Sequence, residues 1–155
     1  MAESLLGLVL KSTGSWYEVL ADGVRYQCRI RGKLRLKGVR STNPVVVGDW
    51  VKFEADEQGG YVISAIEPRR NYIIRRASNL SKESHIIAAN IDQALLVVTL
   101  FSPETALEFV DRFLVTCEAY KVPVTILLAK IDLARQHPEA EEEFYSIYEK
   151  AGYKI

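Results

Sequence analysis

The hydrophobic pattern of this chain changes part-way along, and this change restricts the possible folds more than any other feature. Up to residue 66, apolar and polar residues alternate, as in Val24–Ile30, and turn residues recur at roughly 8–12-residue spacing. This pattern is typical of short strands with one buried face. From residue 94 a nearly continuous apolar run, Ala94–Leu100, precedes apolar residues at helical spacing, which indicates a buried parallel strand and then a helix. The sequence therefore predicts two units of different fold class.

The first unit is predicted to be a small β-barrel. Short strands are separated by turn signals such as Ser12–Ser15 and Ala21–Gly23. Residues 45–53 are predicted as two strand segments about a turn at Gly48-Asp49. A five-stranded barrel of the OB type fits the length and the long cationic loop at 32–44. An SH3-like barrel fits almost as well.

The second unit is predicted to alternate strands and helices. Ser102-Pro103-Glu104 and His137-Pro138-Glu139 have the composition of helix starts. Val124–Leu128 is a second buried strand, and a third begins at Tyr153. Two or three parallel strands with two helices do not cover both faces of a sheet. We therefore expect residues 91–155 to be the first part of a larger α/β domain. The barrel is predicted over residues 1–72, and residues 73–90 are predicted to be a connector, either ordered or flexible.

Charge is distributed unevenly between the two units, although the formal net charge is zero. Residues 1–90 hold 14 Lys and Arg against 9 Asp and Glu, whereas residues 91–155 hold 6 against 11. Residues 25–40 contain seven Lys and Arg and no acid. Such a run is typical of a solvated strand and loop, but clustered cations also bind nucleic-acid phosphates, and composition alone does not separate the two. The candidate RNA-binding residues are Arg29, Arg31, Lys33, Arg35, Lys37 and Arg40.

Composition excludes several classes of protein. The chain is 48% hydrophobic and 26% charged, as globular proteins are. No apolar run approaches the roughly 20 residues of a membrane helix, and the start of the chain lacks the basic region of a signal peptide. Cys28 and Cys117 have no C-x-x-C spacing, which favours a reducing compartment and argues against a zinc cluster. We expect a cytoplasmic monomer without membrane attachment.

A short motif follows the second parallel strand. Lys130 and Asp132 come just after Val124–Leu128, at the strand end where open α/β sheets bind ligands. A carboxylate there can accept hydrogen bonds from the ring N–H and the exocyclic amine of guanine, and a lysine can lay its stem over the base. The pattern K-x-D also arises by chance, as a helix-start cap with a surface ion pair.

Four segments, taken in order, resemble one known family. They are Gly38–Val51, Ala89–Val98, Asp111–Leu114 and Lys130–Leu133. Together they resemble the bacterial ribosome small-subunit-dependent GTPase A (RsgA/YjeQ) family of circularly permuted GTPases. The resemblance implies an N-terminal OB domain that contacts ribosomal RNA. It also implies a P-loop GTPase-like α/β domain whose guanine-specificity motif precedes its phosphate loop.

The resemblance implies a GTPase that assists late maturation of the small ribosomal subunit. GTP or GDP and Mg²⁺ would be bound by the complete protein, and Zn²⁺ by the family's C-terminal part. Guanine would meet Ala129, Lys130 and Asp132. The family usually has Asn or Thr where this chain has Ala129, so the hydrogen bonds of that side chain must come from elsewhere or be lost.

The 155 residues contain no G-x-x-x-x-G-K-[ST] phosphate loop. We therefore expect no catalytic residue, no metal ligand, no tightly bound cofactor and no GTP hydrolysis from this stretch alone. The competing hypothesis is a non-catalytic OB-type RNA-binding module with a vestigial α/β appendage, which would not prefer GDP over ADP. In either case Trp16, Tyr17 and Tyr26 could stack on bases, although core packing is the more ordinary role of such residues.

Overall fold

The chain divides between Ile91 and Asp92 into two compact units, which we call unit 1 and unit 2. The computed structural model describes residues 4–30, 32, 44–57, 59–76 and 84–155. Unit 1 contains β1 (Leu5–Thr13), β2 (Trp16–Ala21), β3 (Val24–Ile30), β4 (Trp50–Ala55), β5 (Tyr61–Ile66), β6 (Tyr72–Arg76) and β7 (Ser84–Ala89). Unit 2 contains β8 (Ala94–Val98), α1 (Leu107–Ala119), β9 (Val124–Leu128), α2 (Ile131–Ala134) and α3 (Pro138–Lys150).

Unit 1 is built around a closed barrel with the strand order β1-β2-β3-β5-β4. Strand β1 closes the barrel because it pairs with β2 along one part of its length and with β4 along another. The pairs are antiparallel except for β3 and β5, which run parallel. The OB-type barrel predicted from the sequence is confirmed.

The alternation of apolar and polar residues gives the barrel its core. Alternate residues of each strand point inward, and the fully buried side chains include Val9, Val19, Cys28, Phe53 and Ile63. The outward residues of β3 and β4 are mostly polar or charged, whereas β1 also turns Leu6 outward, 53% exposed. The sequence pattern therefore indicates the inward face most clearly in β3 and β4.

Residues 45–49 differ from the prediction. They form no strand, apart from a single bridge between Val47 and Ala88, and β4 begins only at Trp50. Val45 and Val46 are buried, so the apolar run signals burial and not strand pairing. Gly48 turns the chain with a φ of +88°, a conformation that favours glycine.

The segment 73–90, predicted as a connector, contains most of β6 and all of β7. These two strands pair antiparallel as a separate two-stranded sheet. The sheet belongs to unit 1, and the bridge between Val47 and Ala88 joins it to the chain entering β4. The role of 73–90 as a connector between two functional domains stays a prediction.

Unit 2 is a partial α/β domain in which β8 and β9 run parallel. Helices α1 and α3 bury Val110, Leu114, Phe144 and Tyr148 against the same face of the sheet. A parallel bridge between Thr125 and Lys154 adds a short third segment near the predicted third strand. Within the described residues, β8 is covered on one face only: Leu95 and Val97 are 57% and 59% exposed. This one-sided cover agrees with the expectation of a partial α/β domain, because two helices do not cover both faces of a parallel sheet.

Helix α1 begins at Leu107, not at the predicted start near Ser102-Pro103. The preceding residues form a loop because Thr105 donates its N–H to the Thr99 carbonyl at 2.8 Å. The predicted start of α3 is confirmed, with Pro138 in the first turn. Pro138 fits there because its missing N–H has no partner at a helix start.

Candidate functional site

The loops that follow β8 and β9 meet at one edge of the sheet in unit 2. The strands run parallel with Val98 opposite Leu128, so both chains leave the sheet in the same direction. The Ala129 N–H donates a hydrogen bond to the Val98 carbonyl at 2.8 Å. We call the residues beyond this point, 99–105 and 129–132, the C-terminal sheet edge. Open α/β sheets bind ligands at this kind of edge.

The loop after β8 is closed on itself by two threonines. The Thr105 N–H bonds to the Thr99 carbonyl, and the Thr99 N–H donates to Thr105 Oγ1 at 3.1 Å. The Thr99 hydroxyl donates to the Pro103 carbonyl. These bonds hold Ser102, which precedes a cis peptide bond to Pro103, at the tip of the loop.

Lys130 links the two loops of the C-terminal sheet edge. Its backbone has a φ of 54° and a ψ of 45°, a left-handed conformation that costs a non-glycine residue about 1–2 kcal/mol. Its carbonyl accepts hydrogen bonds from the N–H groups of Leu133 and Ala134, at 3.0 and 3.2 Å. Its exposed side chain reaches the other loop, where Nζ donates to the Ser102 carbonyl. No sequence pattern predicts this contact with Ser102, because it depends on the pairing of β8 with β9.

Asp132 lies in the first turn of α2, and its side chain is exposed. Its backbone carbonyl accepts a hydrogen bond from the Gln136 amide at 3.3 Å. Across the ranges that the structure describes, no donor lies within hydrogen-bonding distance of its carboxylate. Ala129, which is half-buried, contributes only a methyl group. The acceptor capacity of Asp132 is therefore left for solvent or a ligand.

The side chains at the C-terminal sheet edge suit a planar ring with two adjacent N–H donors. Guanine has such a pair at its ring nitrogen and exocyclic amine, and adenine does not. The Asp132 carboxylate can accept both hydrogen bonds. Lys130 keeps its aliphatic stem available for contact with a ring while the ammonium group is held by Ser102. The edge thus presents an exposed acceptor carboxylate and an aliphatic stem, the two groups that such a ring would contact.

One of the six basic residues predicted to bind RNA lies among the described residues. Arg29 is exposed on β3, and its Cζ lies 4.2 Å from the centroid of the Trp16 ring. The other five lie outside the described residues: Arg31, Lys33, Arg35, Lys37 and Arg40.

The three aromatic residues considered for base stacking have different surroundings. Tyr17 is 2% exposed and belongs to the barrel core. Tyr26 packs against Phe53 and Tyr61, with ring centroids 5.1 and 4.8 Å apart. Trp16 is 43% exposed. Of the three, Trp16 is the residue whose ring is open to solvent.

Within the described residues, no group of three or more His, Cys, Asp or Glu side chains is placed to hold a metal ion. Likewise, the described part of the chain contains no helix with the length and apolarity needed to cross a membrane.

Burial raises the pKa of the Cys28 thiol to about 12 and also raises the pKa of the Cys117 thiol. Neither cysteine is therefore a reactive thiolate at neutral pH.

Family models match both parts of the chain. The RsgA N-terminal domain matches residues 6–63, and the RsgA GTPase model matches residues 66–155, more than half of the chain. The chain belongs to the RsgA GTPase family. The resemblance inferred from the four sequence segments is therefore confirmed.

Curated relatives from the RsgA family match most of this chain. A small ribosomal subunit biogenesis GTPase RsgA from Bacteroides fragilis is 54% identical over 150 residues, which cover 95% of this chain and 48% of the relative. The protein of the same name from Phocaeicola vulgatus is 58% identical over 127 residues, covering 81% of this chain and 41% of the relative. The chain spans about half the length of the curated relatives it matches.

Solved structures match over the same extent. YjeQ from Thermotoga maritima has a TM-score of 0.72 and 30% sequence identity, and the match covers 99% of this chain and 51% of that protein. YloQ, described as a circularly permuted GTPase, has a TM-score of 0.69 and 27% identity, covering 99% and 50%. The barrel and the partial α/β domain are thus those of the RsgA family.

A second cluster of polar side chains, in unit 1, has a structural role. Arg69 donates from Nε to Asp49 Oδ1 at 2.7 Å and from Nη2 to Asp49 Oδ2 at 2.8 Å. Asp49 Oδ2 also accepts the Val46 N–H at 2.9 Å, and Arg69 Nη2 donates to the Pro44 carbonyl at 2.9 Å. The hydrogen bonds to Asp49 raise the pKa of the Arg69 guanidinium, an effect that its burial opposes. This pair fixes residues 44–49 against the chain that leaves the barrel.

Asn90 extends the same cluster to the end of β7. Its Oδ1 accepts the Arg70 N–H at 2.8 Å, and its Nδ2 donates to the Gly48 carbonyl at 2.9 Å. A Cβ on Gly48 would lie 2.0 Å from the Ala89 carbonyl oxygen, so glycine is required at this approach. We call Gly48, Asp49, Arg69 and Asn90 the clasp.

Proposed function

We propose that the chain supplies the RNA-binding and guanine-selecting parts of a GTPase that assists late maturation of the small ribosomal subunit. The matched relatives carry the name small ribosomal subunit biogenesis GTPase. Because this chain spans about half their length, the proposal assigns GTP hydrolysis to a protein of their length. Residues 1–72 would bind ribosomal RNA, 73–90 would connect, and 91–155 would recognise the base.

The unpaired carboxylate of Asp132 carries the proposal. It lies exposed at the C-terminal sheet edge, with no hydrogen-bond donor near it in the described residues. Two hydrogen bonds from guanine to a carboxylate are each charge-assisted, and such bonds contribute about 1.5–3 kcal/mol. Adenine, which has no donor pair of this kind, gains neither. Asp132 would therefore select guanine over adenine.

Ala129 and Lys130 have different roles in this proposal. Ala129 lacks the hydrogen-bonding side chain of the usual family motif, so base affinity falls while selectivity stays with Asp132. The bond from Lys130 Nζ to the Ser102 carbonyl orients the lysine without help from residue 129. The Lys130 stem would then cover one face of the base.

The proposal assigns RNA contact to the basic residues of unit 1. Arg29 and the five basic residues at 31, 33, 35, 37 and 40 would neutralise phosphates of ribosomal RNA. The excess of 14 Lys and Arg over 9 Asp and Glu in residues 1–90 supports this assignment. RNA affinity should therefore fall steeply as salt rises.

Mg²⁺ and Zn²⁺ belong to the proposal only for a protein of the relatives' length. The described residues contain no cluster of side chains suited to either ion, so no step is assigned to a metal here. We also propose that the protein acts in the cytoplasm as a monomer, with guanine nucleotide and the small ribosomal subunit as its partners.

The guanine assignment is tested by measuring binding of GDP, ADP and XDP to the 155-residue chain with ligand-detected NMR. We expect weak binding overall, because most nucleotide affinity comes from phosphate contacts, with GDP preferred over ADP by about tenfold or more. In the Asp132→Asn variant we expect that preference to disappear and the affinity for XDP to rise. The asparagine amide can donate to the 2-oxo group of xanthine, which replaces the amine of guanine.

Glu142→Gln is the matched control, because Glu142 is an exposed carboxylate in the same unit. It should leave the GDP-to-ADP ratio unchanged. Equal binding of GDP and ADP by the unaltered chain would overturn the guanine assignment and favour the RNA-binding module with a vestigial appendage. Sub-micromolar GTP binding by these 155 residues would contradict the expected dependence on phosphate contacts.

A further inference from the structure

The outer face of strands β2 and β3 carries a tryptophan directly beside an arginine. Tyr17 pairs with Cys28 across the two strands, and both side chains are buried in the barrel. Trp16 and Arg29 are the next residues beyond that pair on β2 and β3, so their side chains point to the opposite face. The Arg29 Cζ lies 4.2 Å from the centroid of the Trp16 ring, a cation–π contact.

The two arginines on this outer face have different partners. Arg25 donates to Glu18 Oε1 at 2.8 Å, so its charge is neutralised by a carboxylate. Arg29 has the Trp16 ring as its neighbour, and no carboxylate lies within ion-pair distance of it in the ranges that the structure describes. Arg29 therefore keeps its charge available and is held in one place by an aromatic ring.

The two tryptophans of the chain differ in the same way. Trp16 and Trp50 are each 43% exposed. Among the described residues, a cation stacks on Trp16 and none stacks on Trp50. Equal exposure with different surroundings makes Trp50 a matched control for any role of the Trp16 ring.

A small pocket adjoins Arg29. It has a volume of about 160 Å³ and is lined by Gly14, Ser15, Tyr17, Arg29, Ile30 and Gly32. It is smaller than the roughly 300–1,000 Å³ of a site for a whole small molecule. One ring or one phosphate group fits such a volume better than a complete nucleotide. The pocket also borders the start of the basic run at 29–40.

We propose that Trp16 and Arg29 form a stacking site for one unpaired base of single-stranded RNA, a proposal that rests on the RNA contact assigned to unit 1. Aromatic rings and guanidinium planes both stack on bases. The basic residues that follow Arg29 in the sequence would attract the phosphates of the same strand. A base inside a duplex is already stacked on both faces. The site therefore selects unpaired RNA.

The first test follows Trp16 fluorescence in a Trp50→Phe background. This substitution leaves Trp16 as the single tryptophan, since the chain has two. Adding a uridine-only RNA strand should quench the fluorescence, and adding an RNA duplex of equal length should quench it much less. Quenching that is equal for strand and duplex would overturn the stacking site.

The second test compares RNA affinity in two matched pairs of variants across a range of salt concentrations. Trp16→Ala should weaken binding of the single strand about tenfold or more without changing the slope of log K against log salt, and Trp50→Ala should change neither. Arg29→Ala should weaken binding and make the slope shallower by about 0.7, the value for one phosphate contact on a single strand. Arg25→Ala should leave the slope nearly unchanged.

The variants also separate a stacking role from a structural one. Trp16→Tyr keeps an aromatic face and should retain most of the affinity that Trp16→Ala loses. Equal losses in Trp16→Ala and Trp50→Ala, with RNA still bound by the unaltered chain, would overturn the stacking site and leave the proposed RNA contact standing. A chain that binds no RNA in low salt would overturn both.

Discussion

The clasp of unit 1 and the C-terminal sheet edge of unit 2 each contain an aspartate from the family-like segments, in opposite surroundings. Asp49 is fully buried, and both of its carboxylate oxygens accept hydrogen bonds from Arg69. Asp132 is exposed, and within the described residues its carboxylate has no donor. A buried carboxylate with every partner in place holds the surrounding chain in position, and removing one partner leaves an unpaired charge. An exposed carboxylate without a partner is available to a ligand. The segments that reveal the family therefore mix residues of two kinds.

The largest expected effect is a difference in the free energy of unfolding when each of these two aspartates is replaced. Asp49→Asn should lower the free energy of unfolding of unit 1 by about 3–5 kcal/mol, because it leaves the Arg69 charge buried without its counter-charge. Asp132→Asn should change the stability of unit 2 by no more than about 0.5 kcal/mol. Urea unfolding followed by circular dichroism measures both, and tryptophan fluorescence isolates unit 1, which holds Trp16 and Trp50. Similar losses in the two variants would remove the distinction between clasp and edge.

A smaller effect comes from the close approach inside the clasp. Gly48→Ala should lower the free energy of unfolding by more than about 2 kcal/mol. The added Cβ would lie 2.0 Å from the Ala89 carbonyl oxygen, and the φ of +88° is strained for alanine. Gly14→Ala has a similar positive φ of +63° but meets nothing within 4 Å. It should cost only about 1 kcal/mol. Equal losses in urea unfolding would mean that conformation alone, and not the contact, makes glycine necessary at position 48.

The smallest effect is a pH dependence that differs between the units. Burial raises the pKa of the Cys28 thiol from an ordinary 9.0 to about 12. The folded chain therefore keeps this proton at a pH where the unfolded chain releases it. The resulting stability is fully present below pH 9 and is lost as the pH rises towards 12.

Cys28→Ala should remove that dependence. Between pH 8 and pH 10, the free energy of unfolding of unit 1 should fall by about 1 kcal/mol more in the unaltered chain than in the variant. Cys117→Ala, in unit 2, should leave the tryptophan-detected unfolding of unit 1 with its full pH slope. A slope unchanged by Cys28→Ala would show that other groups titrate instead.

Local patterns predict most of the barrel, because alternation along a strand directly encodes which face is buried. They fail at residues 45–49, where Val45 and Val46 are buried without strand pairing. The conformation there is set by Asp49 and by Arg69, which lies twenty positions further along. No window of neighbouring residues contains both partners, so the run is indistinguishable from a strand.

The candidate site follows the same rule. The position of Lys130 and Asp132 after a buried strand is readable from the sequence, as is the start of α3 at Pro138. The contact between Lys130 and Ser102 is not, because 28 positions separate them. A contact of shorter range holds Ser102-Pro103 in a loop: the Thr105 N–H bonds to the Thr99 carbonyl, so no helix begins there. Sequence thus predicts which groups reach the edge, and the pairing of strands decides which of them touch.

The ion pair between Arg69 and Asp49 also limits how this family can diverge. A lineage that replaced one partner alone would carry an unmatched interior charge until the second position changed. Replacement by an apolar pair therefore requires two substitutions with an unfavourable intermediate. Natural homologues should vary at both positions together or at neither, so the two columns of an alignment should covary although they are twenty places apart.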